Sequence, residues 1–366
     1  MTTSIAIVGS GFAGVEAVKR LAGLCGERID CTWITQRPEL VFLPSLPEVA
    51  GGRLEPPDVK WGIDRFAREA GAELIVGRVT AVEERRLLLE NGDKIGYDYL
   101  ILATGAAPAF FNVPGAREHA VPLYSVEDAL KIRSAARQAS RVVIVGAGFV
   151  GVEVAGELRH AHPDLHITIV DMLDKPLRML GNERASILTE KMLRKMGIEL
   201  FMNARVTRVD EGRIETTRGS LEADLVIWAA GLQANRPEIR IEGVSYTKGG
   251  YVSVDRYLRA ASRVYAVGDV SCLEVEGCMP LKMVREAIRQ ARTAAYNLLA
   301  ELEGRSLVPY KPLISNCMPL AGVTLGPGRA VLIIGKKFSI YMPVFVEAYK
   351  DLQRRLYARL LTKGRL

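Results

Sequence analysis

The chain repeats one pattern: a short run of apolar, largely β-branched residues, a cluster of small residues, then apolar positions three and four apart. Ser4 to Val8 is such a run, followed by Val15, Val18 and Leu21. Val142 to Val145 is another, followed by Val150, Val154 and Leu158. Unbroken apolar runs of this length mark strands buried on both faces, and the later spacing marks a helix packed against them. Further strands are expected at Cys31–Thr35, Tyr99–Gly105, Ile167–Val170, Asp224–Gly231, Val264–Asp269 and Ala330–Gly335, with short alternating strands up to Leu221. Helices are expected at Ser125–Gln138, Glu183–Gly197 and Pro280–Leu299, the last with proline near its first turn. Glu39 to Gly52 is broken by Pro and Gly yet rich in apolar side chains, which predicts a rigid packed loop. Strands alternating with helices imply an α/β chain built on parallel sheets.

The small-residue clusters carry the chemistry. Gly9, Gly11 and Gly14, and again Gly146, Gly148 and Gly151, stand at G-x-G-x-x-G spacing between a strand and a helix. In such a turn the first glycine permits the bend, the second lets a pyrophosphate approach the backbone, and the third lets helix and strand close together. The phosphates then face the unpaired N–H groups of the helix N-terminus. Asp171 ends the strand after the second turn, where a carboxylate accepts the ribose hydroxyl bonds of NAD. Met172 and Leu173 follow, with no arginine for a 2′-phosphate, so NADH is expected over NADPH. The corresponding strand of the first unit ends in Thr35, a neutral and weaker ribose ligand. Glu153 lies in the helix just past Gly151. Burial would raise its pKa and suit it to proton handling, and the competing reading is an acid that complements the helix dipole. Glu157, one turn on, reads as structural.

The chain has 366 residues, 49% of them hydrophobic, enough for two or three domains. Its net charge of +7 admits a nucleic-acid or membrane partner, or neither, until the charge is localised. The tail, from Pro343, localises part of it. Phe345, Tyr349, Leu352, Leu356 and Leu360 form an apolar stripe that Val346 and Tyr357 extend, while Lys350, Arg354, Arg355 and Arg359 cover the other side and Lys363 and Arg365 follow. That is the pattern of a helix lying in a membrane interface, and the competing reading is a helix packed on the protein's own core. The five cysteines, Cys25, Cys31, Cys272, Cys278 and Cys317, show no C-x-x-C and no metal spacing. Reduced thiols in a cytoplasmic compartment are expected, with Cys25 and Cys31 as ordinary core residues. No metal site and no membrane-spanning run is expected.

Both glycine turns, with ATG at Ala103–Gly105, AAG at Ala229–Gly231 and VGD at Val267–Asp269, occur in an order that resembles the flavoprotein reductases with two dinucleotide-binding domains. The resemblance runs from about Ser4 to about Leu302. It implies two Rossmann-like domains plus a small C-terminal domain with an amphipathic helix. Residues 1–110 and 236–308 would form the FAD domain, 111–235 the NAD domain, and 309–366 an acceptor and membrane-attachment region. It implies FAD on Gly9, Gly11, Gly14, Thr35, Thr104, Gly105, Gly268 and Asp269, and NADH on Gly146, Gly148, Gly151, Asp171 and Gly231.

IWAAG, VGVEVAGEL and LGPGRAV look like type II NADH:quinone dehydrogenases. In that family a glutamate at the place of Glu153 lies between flavin and nicotinamide. The helix after Pro280 points its positive end at the flavin, with Lys282 beside it. The lysine also matches the ferroptosis-suppressor type of quinone reductase. On this helix the type II dehydrogenases carry an alanine–glutamine pattern; here Arg285 and Arg289 stand where the glutamines would, with Gln290 beside them. FLPSLPEVAGG, Pro280–Lys282 and Cys317 also look like sulfide:quinone oxidoreductases, which need a second redox cysteine in mid-chain, where none stands between Cys31 and Cys272. The expected activity is FAD-dependent electron transfer from NADH to a membrane quinone, peripheral on the inner face of the cell membrane. Glu153 and Lys282 would be catalytic, nucleic acid would not be a partner, and a homodimer stays open. The alternatives are sulfide oxidation, a soluble reductase of a protein such as ferredoxin, and an interaction protein like apoptosis-inducing factor.

Overall fold

A computed structural model of the chain describes residues 2–363. The larger sheet has six strands in the order Arg259–Ala261, Val264–Ala266, Tyr99–Leu102, Thr3–Val8, Ile29–Thr35 and Glu73–Val76. All neighbours run parallel except the first pair. Because side chains alternate across a strand, Ile5 and Ile7 join the helix residues Val15, Val18 and Leu21 in one core, while Ala6 and Val8 face Leu87, Val252 and Val270 in another.

A second sheet holds Ala120–Pro122, Leu225–Trp228, Arg141–Val145, His166–Val170 and Glu199–Phe201, all parallel. Its helix Val126–Ala136 starts at a capping box in which Ser125 and Asp128 satisfy each other's backbone N–H groups. The antiparallel pair Ala106–Pro108 and Leu232–Ala234 forms the crossing between the units, so the second is inserted into the first. A three-stranded antiparallel sheet, Leu320–Thr324, Ala330–Ile334 and Phe338–Tyr341, precedes the C-terminal helix Pro343–Lys363. Among the described residues no helix is long and apolar enough to cross a membrane. Two α/β units, a small C-terminal sheet and a terminal helix are the architecture the sequence pattern implies.

Four local expectations are corrected. The segment Glu39–Gly52 is a short strand, Glu39–Val41, followed by helical turns at Leu43–Ser45 and Leu46–Ala50. Its prolines occupy first-turn positions, where a missing N–H leaves no bond unmade. The helix expected from Pro280 begins at Val284 and ends at Leu302. Pro280 instead pairs with Ser315 in a bridge, and Lys282 stands in a bend ahead of the helix. The cysteines are not all thiols: Cys25 bonds to Cys31 and Cys278 to Cys317, and Cys272 alone is free. The Cys25–Cys31 pair spans the end of the first unit's helix and its next strand, at a Cα separation of 5.4 Å.

The fourth correction concerns the tail, which is helical but two-sided. Val346, Tyr357 and Leu361 are buried against the protein's own core, with the Tyr357 ring 5.0 Å from that of Phe12. Phe345, Tyr349, Leu352 and Leu356 stay exposed. Lys350 faces inward and Arg354 is held between Asp351 and Asp58. Arg365 lies outside the described residues.

Candidate functional site

The two glycine turns are built alike. Gly9 and Gly146 have φ of 112° and 109°, a region that costs other residues strain. A Cβ on Gly14 would lie 1.9 Å from the carbonyl oxygen of Gly9, and one on Gly151 would lie 1.9 Å from that of Gly146. Only glycine lets these helices approach so closely. Gly11 differs, since a Cβ there meets no protein atom within 4 Å. The protein's own packing does not require glycine at that place, but a phosphate approaching the backbone does.

In the first unit the Trp33 indole donates to the carbonyl of Gly9 at 2.8 Å and fixes the turn. Thr35, at the strand end, is buried, with its hydroxyl donating to the carbonyl of Arg37 and lying 2.9 Å from Ser10 Oγ. In the second unit Asp171 stands at the end of its strand and accepts the N–H groups of Ala147, at 2.6 Å, and Leu173, at 2.8 Å. One carboxylate thus ties the glycine turn to the strand end. Gly148 lies under the Met179 side chain, and Gly231 accepts the Ala109 N–H at the crossing between the units.

Thr104, Gly105, Gly268, Asp269 and Lys282 gather beside the first turn. The Thr104 hydroxyl is buried with no hydrogen-bond partner, and among the described residues the Asp269 carboxylate accepts no hydrogen bond. Gln290 holds this edge from the following helix, accepting from the Gly268 N–H at 2.7 Å and the Ser271 hydroxyl at 3.1 Å. Lys282 donates to the carbonyl of Ser271 and lies 4.5 Å from the centre of the Tyr251 ring. Burial raises the pKa of Asp269, with Lys282 opposing, and lowers that of Lys282, with Asp269 opposing. An orphaned hydroxyl, a carboxylate without a donor and a lysine, all next to an open glycine turn, fit the polar part of a flavin dinucleotide.

Glu153, two residues past Gly151, lies where three parts of the molecule meet. It is 9% exposed and accepts from the Thr324 N–H and hydroxyl, at 3.1 and 2.9 Å. Lys350 of the C-terminal helix lies 3.6 Å away and bonds Glu48 at 2.8 Å. Burial raises the Glu153 pKa above the usual glutamate range; Lys350 pulls it down and Glu48 pushes it up. Burial works against the Lys350 ammonium, but Glu153, Glu48 and Glu157 outweigh it and raise its pKa. Glu157 is structural, as its position suggests, gripped by Arg53 through two bonds of 2.7 Å.

Lys350 and Glu48 are the residues that sequence reasoning missed. The signal was present for one of them, because Lys350 falls in register with Val346, Tyr357 and Leu361, the buried side of the helix. Arg289 turns away from the Gly268 edge and donates to the carbonyl of Lys311.

Fold and site define an oxidoreductase with two dinucleotide cradles. Residues 3–297 match the sequence profile of the pyridine nucleotide-disulphide oxidoreductases, and the chain belongs to that family. It is accordingly an FAD- and NAD(H)-dependent oxidoreductase. It is 28% identical to the nitric oxide reductase FlRd-NAD(+) reductase of Aeromonas hydrophila, over 90% of this chain and 86% of that one. It is 24% identical to the type II NADH:quinone oxidoreductase of Haemophilus influenzae, over 97% and 94%. The structure of a sulfide:quinone oxidoreductase from Aquifex aeolicus superimposes with a TM-score of 0.83 at 16% identity, covering 99% of this chain and 92% of that one.

Proposed function

We propose that the chain passes electrons from NADH to a quinone at a membrane surface, with FAD as the intermediate carrier. The observation that carries this reading is the two-sided C-terminal helix, which puts Lys350 against Glu153 on its inner side and an unpartnered apolar row on its outer side. A lipid-soluble quinone must be met at the bilayer, and a helix with an exposed apolar row suits that surface. Residues 1–110 and 236–308 hold FAD, 111–235 hold NADH, and 309–366 form the acceptor side. Bound FAD supplies the acceptance of hydride and its release as electrons. The protein's part is to orient and to manage protons. Gly9, Gly11 and Gly14 seat one pyrophosphate, and Gly146, Gly148 and Gly151 the other. Asp171 selects the unphosphorylated ribose. Lys282 and Asp269 set the charge at the flavin edge. Quinone reduction takes up protons as well as electrons, and Glu153, with its raised pKa and adjacent ammonium, holds one.

Steady-state turnover of the purified holoprotein with NADH, NADPH or sulfide against a short-chain quinone tests this. NADH with quinone should give the highest kcat/KM, and turnover with sulfide alone would overturn the reading. One observation favours that second reading, oxidation of sulfide. Cys317 is exposed and bonded to Cys278, four residues before Lys282. If sulfide is the donor, Cys317→Ser should abolish turnover; if NADH is, it should leave the rate near wild type.

A further inference from the structure

Among the described residues, a groove of about 730 Å³ lies outside the site described above. One wall comes from the end of the helix Phe149–Ala161, with Arg159 and His160. The floor comes from the helix Glu183–Lys195, with Lys191 and Lys195. The far wall comes from the C-terminal sheet, with Arg329 and Tyr341. No carboxylate lines the groove, and among the described residues none of these cations lies within 4 Å of an acid. The nearest acids are engaged elsewhere or set aside: Glu190 bonds Arg194, Glu347 accepts the Gly328 N–H, and Asp164 acts on Arg159 from beyond Pro163.

Basic residues in a last helical turn complement the helix dipole, which accounts for Arg159, His160 and Lys195. It does not account for Lys191 in mid-helix, nor for Arg329 in the hairpin turn of another layer. The Arg159 Nε is buried with no acceptor, although its other nitrogens are held by the carbonyls of Pro163 and Gly197. Three separate elements therefore converge cations on one concavity and leave a buried donor unmatched.

The rim is apolar. Tyr341 closes the groove and begins an exposed run: Met342, Val344 and Phe345, with Phe338 and Ile340 on the same hairpin. Val344 is 82% exposed, and nothing in the fold requires it to be apolar. Lys336 and Lys337 stand at the hairpin turn beside this run.

We propose that this groove is an anionic phospholipid site: Arg159, Lys191, Lys195 and Arg329 take the headgroup phosphate while Tyr341, Val344 and Phe345 enter the acyl boundary. The proposal rests on the membrane reading above and assigns it a site. Free polyanions would suit the cations as well, but the apolar rim selects a phosphate anchored in a bilayer. It also explains how a helix whose cations are partly tied down, Lys350 inside and Arg354 between two aspartates, can sit on an anionic surface.

The test is flotation of the full-length holoprotein with vesicles of phosphatidylcholine alone or with about a third phosphatidylglycerol. A cation at an anionic surface contributes about 1 kcal/mol, or about fivefold. Lys191→Glu with Lys195→Glu should therefore weaken binding to the anionic vesicles at least about tenfold, and Arg329→Glu, on the opposite wall, should do so independently. Val344→Ser with Phe345→Ser should weaken binding to both vesicle types. Flavin content and turnover with a short-chain quinone should stay at wild-type values in all of them. Wild-type binding of the charge-reversed variants to anionic vesicles overturns the groove and leaves the membrane reading standing. A wild-type protein that reduces short-chain quinone and binds neither vesicle overturns the membrane reading itself. Stabilisation by millimolar inorganic phosphate without vesicle binding, or displacement from vesicles by a trace of polyglutamate, identifies a soluble anion or an acidic protein as the ligand and overturns the proposal.

Discussion

The two glycine turns are the same device used twice, and their surroundings make them different. The first glycines match to within a few degrees of φ, and a Cβ on either third glycine would lie the same 1.9 Å from the first one's carbonyl oxygen. The differences begin outside the turn. One strand ends in neutral Thr35, its hydroxyl committed to the loop, and the other in Asp171, which grips the turn with one oxygen and Leu173 with the other. Two residues past the third glycine each helix buries a glutamate. Glu16 is 2.9 Å from Arg20 and 2.6 Å from Arg292 and fastens two helices together. Glu153 has no arginine; it shares one lysine with Glu48 and leans on Thr324. On the proposed reading, the turn seats a dinucleotide, the strand end selects which one, and the charge balance of the helix separates a carboxylate that fastens helices from one that holds a proton.

The largest expected effect separates the two turns. Gly14→Ala should yield protein without flavin. Gly151→Ala should keep its yellow colour and lose NADH-driven bleaching at least about tenfold in NADH affinity, the scale of forcing a methyl into a packed contact. Loss of flavin from both variants would mean that the units do not fold separately. Gly11→Ala sharpens the point: with no protein atom near its Cβ, the thermal midpoint of the apoprotein should not move, while flavin dissociation quickens.

Next comes the strand end. Asp171→Asn should raise the Michaelis constant for NADH by about 10- to 100-fold, the 1–3 kcal/mol of a lost charged hydrogen bond, and narrow the gap to NADPH. Thr35→Ala should change flavin affinity less. Equal losses would erase the distinction drawn between the two strand ends.

The smallest effect is a shift in pH. Glu153 gives up its proton above the ordinary glutamate range, so quinone reduction that uses the protonated form should decline as pH rises through that raised value. Lys350 lowers this pKa, so Lys350→Met should move the declining limb to higher pH, and Glu153→Gln should remove it. A limb that moves down in Lys350→Met would mean that Lys350 does not act through Glu153.

Much of this was legible in the chain. The apolar runs and glycine spacings show the central strands of both sheets, because strands buried on both faces must be apolar throughout and a tight strand-to-helix turn must be glycine; the outer strands Arg259–Ala261, Glu73–Val76 and Ala120–Pro122 carry no such signal. What was hidden is long-range. Glu48 lies on a segment whose prolines suggested a loop, and only the fold brings it to Lys350. Lys350 itself reads in the sequence as one cation among several, although it keeps register with Val346 and Tyr357. Cys278 and Cys317, 39 residues apart, pair because the Pro280–Ser315 bridge aligns their segments, which no spacing rule anticipates. The start of the helix at Val284 was missed because Pro280 suits a strand edge as well as a first turn.

Lys350 has a consequence for how this chain can be divided. Tails of this kind are commonly treated as detachable anchors, to be trimmed for crystallisation or exchanged between relatives. Here a cut at Pro343 would leave Glu48 and Glu153 without their shared cation and expose Phe12 where Tyr357 covers it. A shortened protein that loses activity would therefore say nothing about lipid, because the amputation reaches the electrostatic interior. Conversely, a graft from another relative would work only if it brought a lysine at the same turn. The terminal helix and the interior are one structural unit.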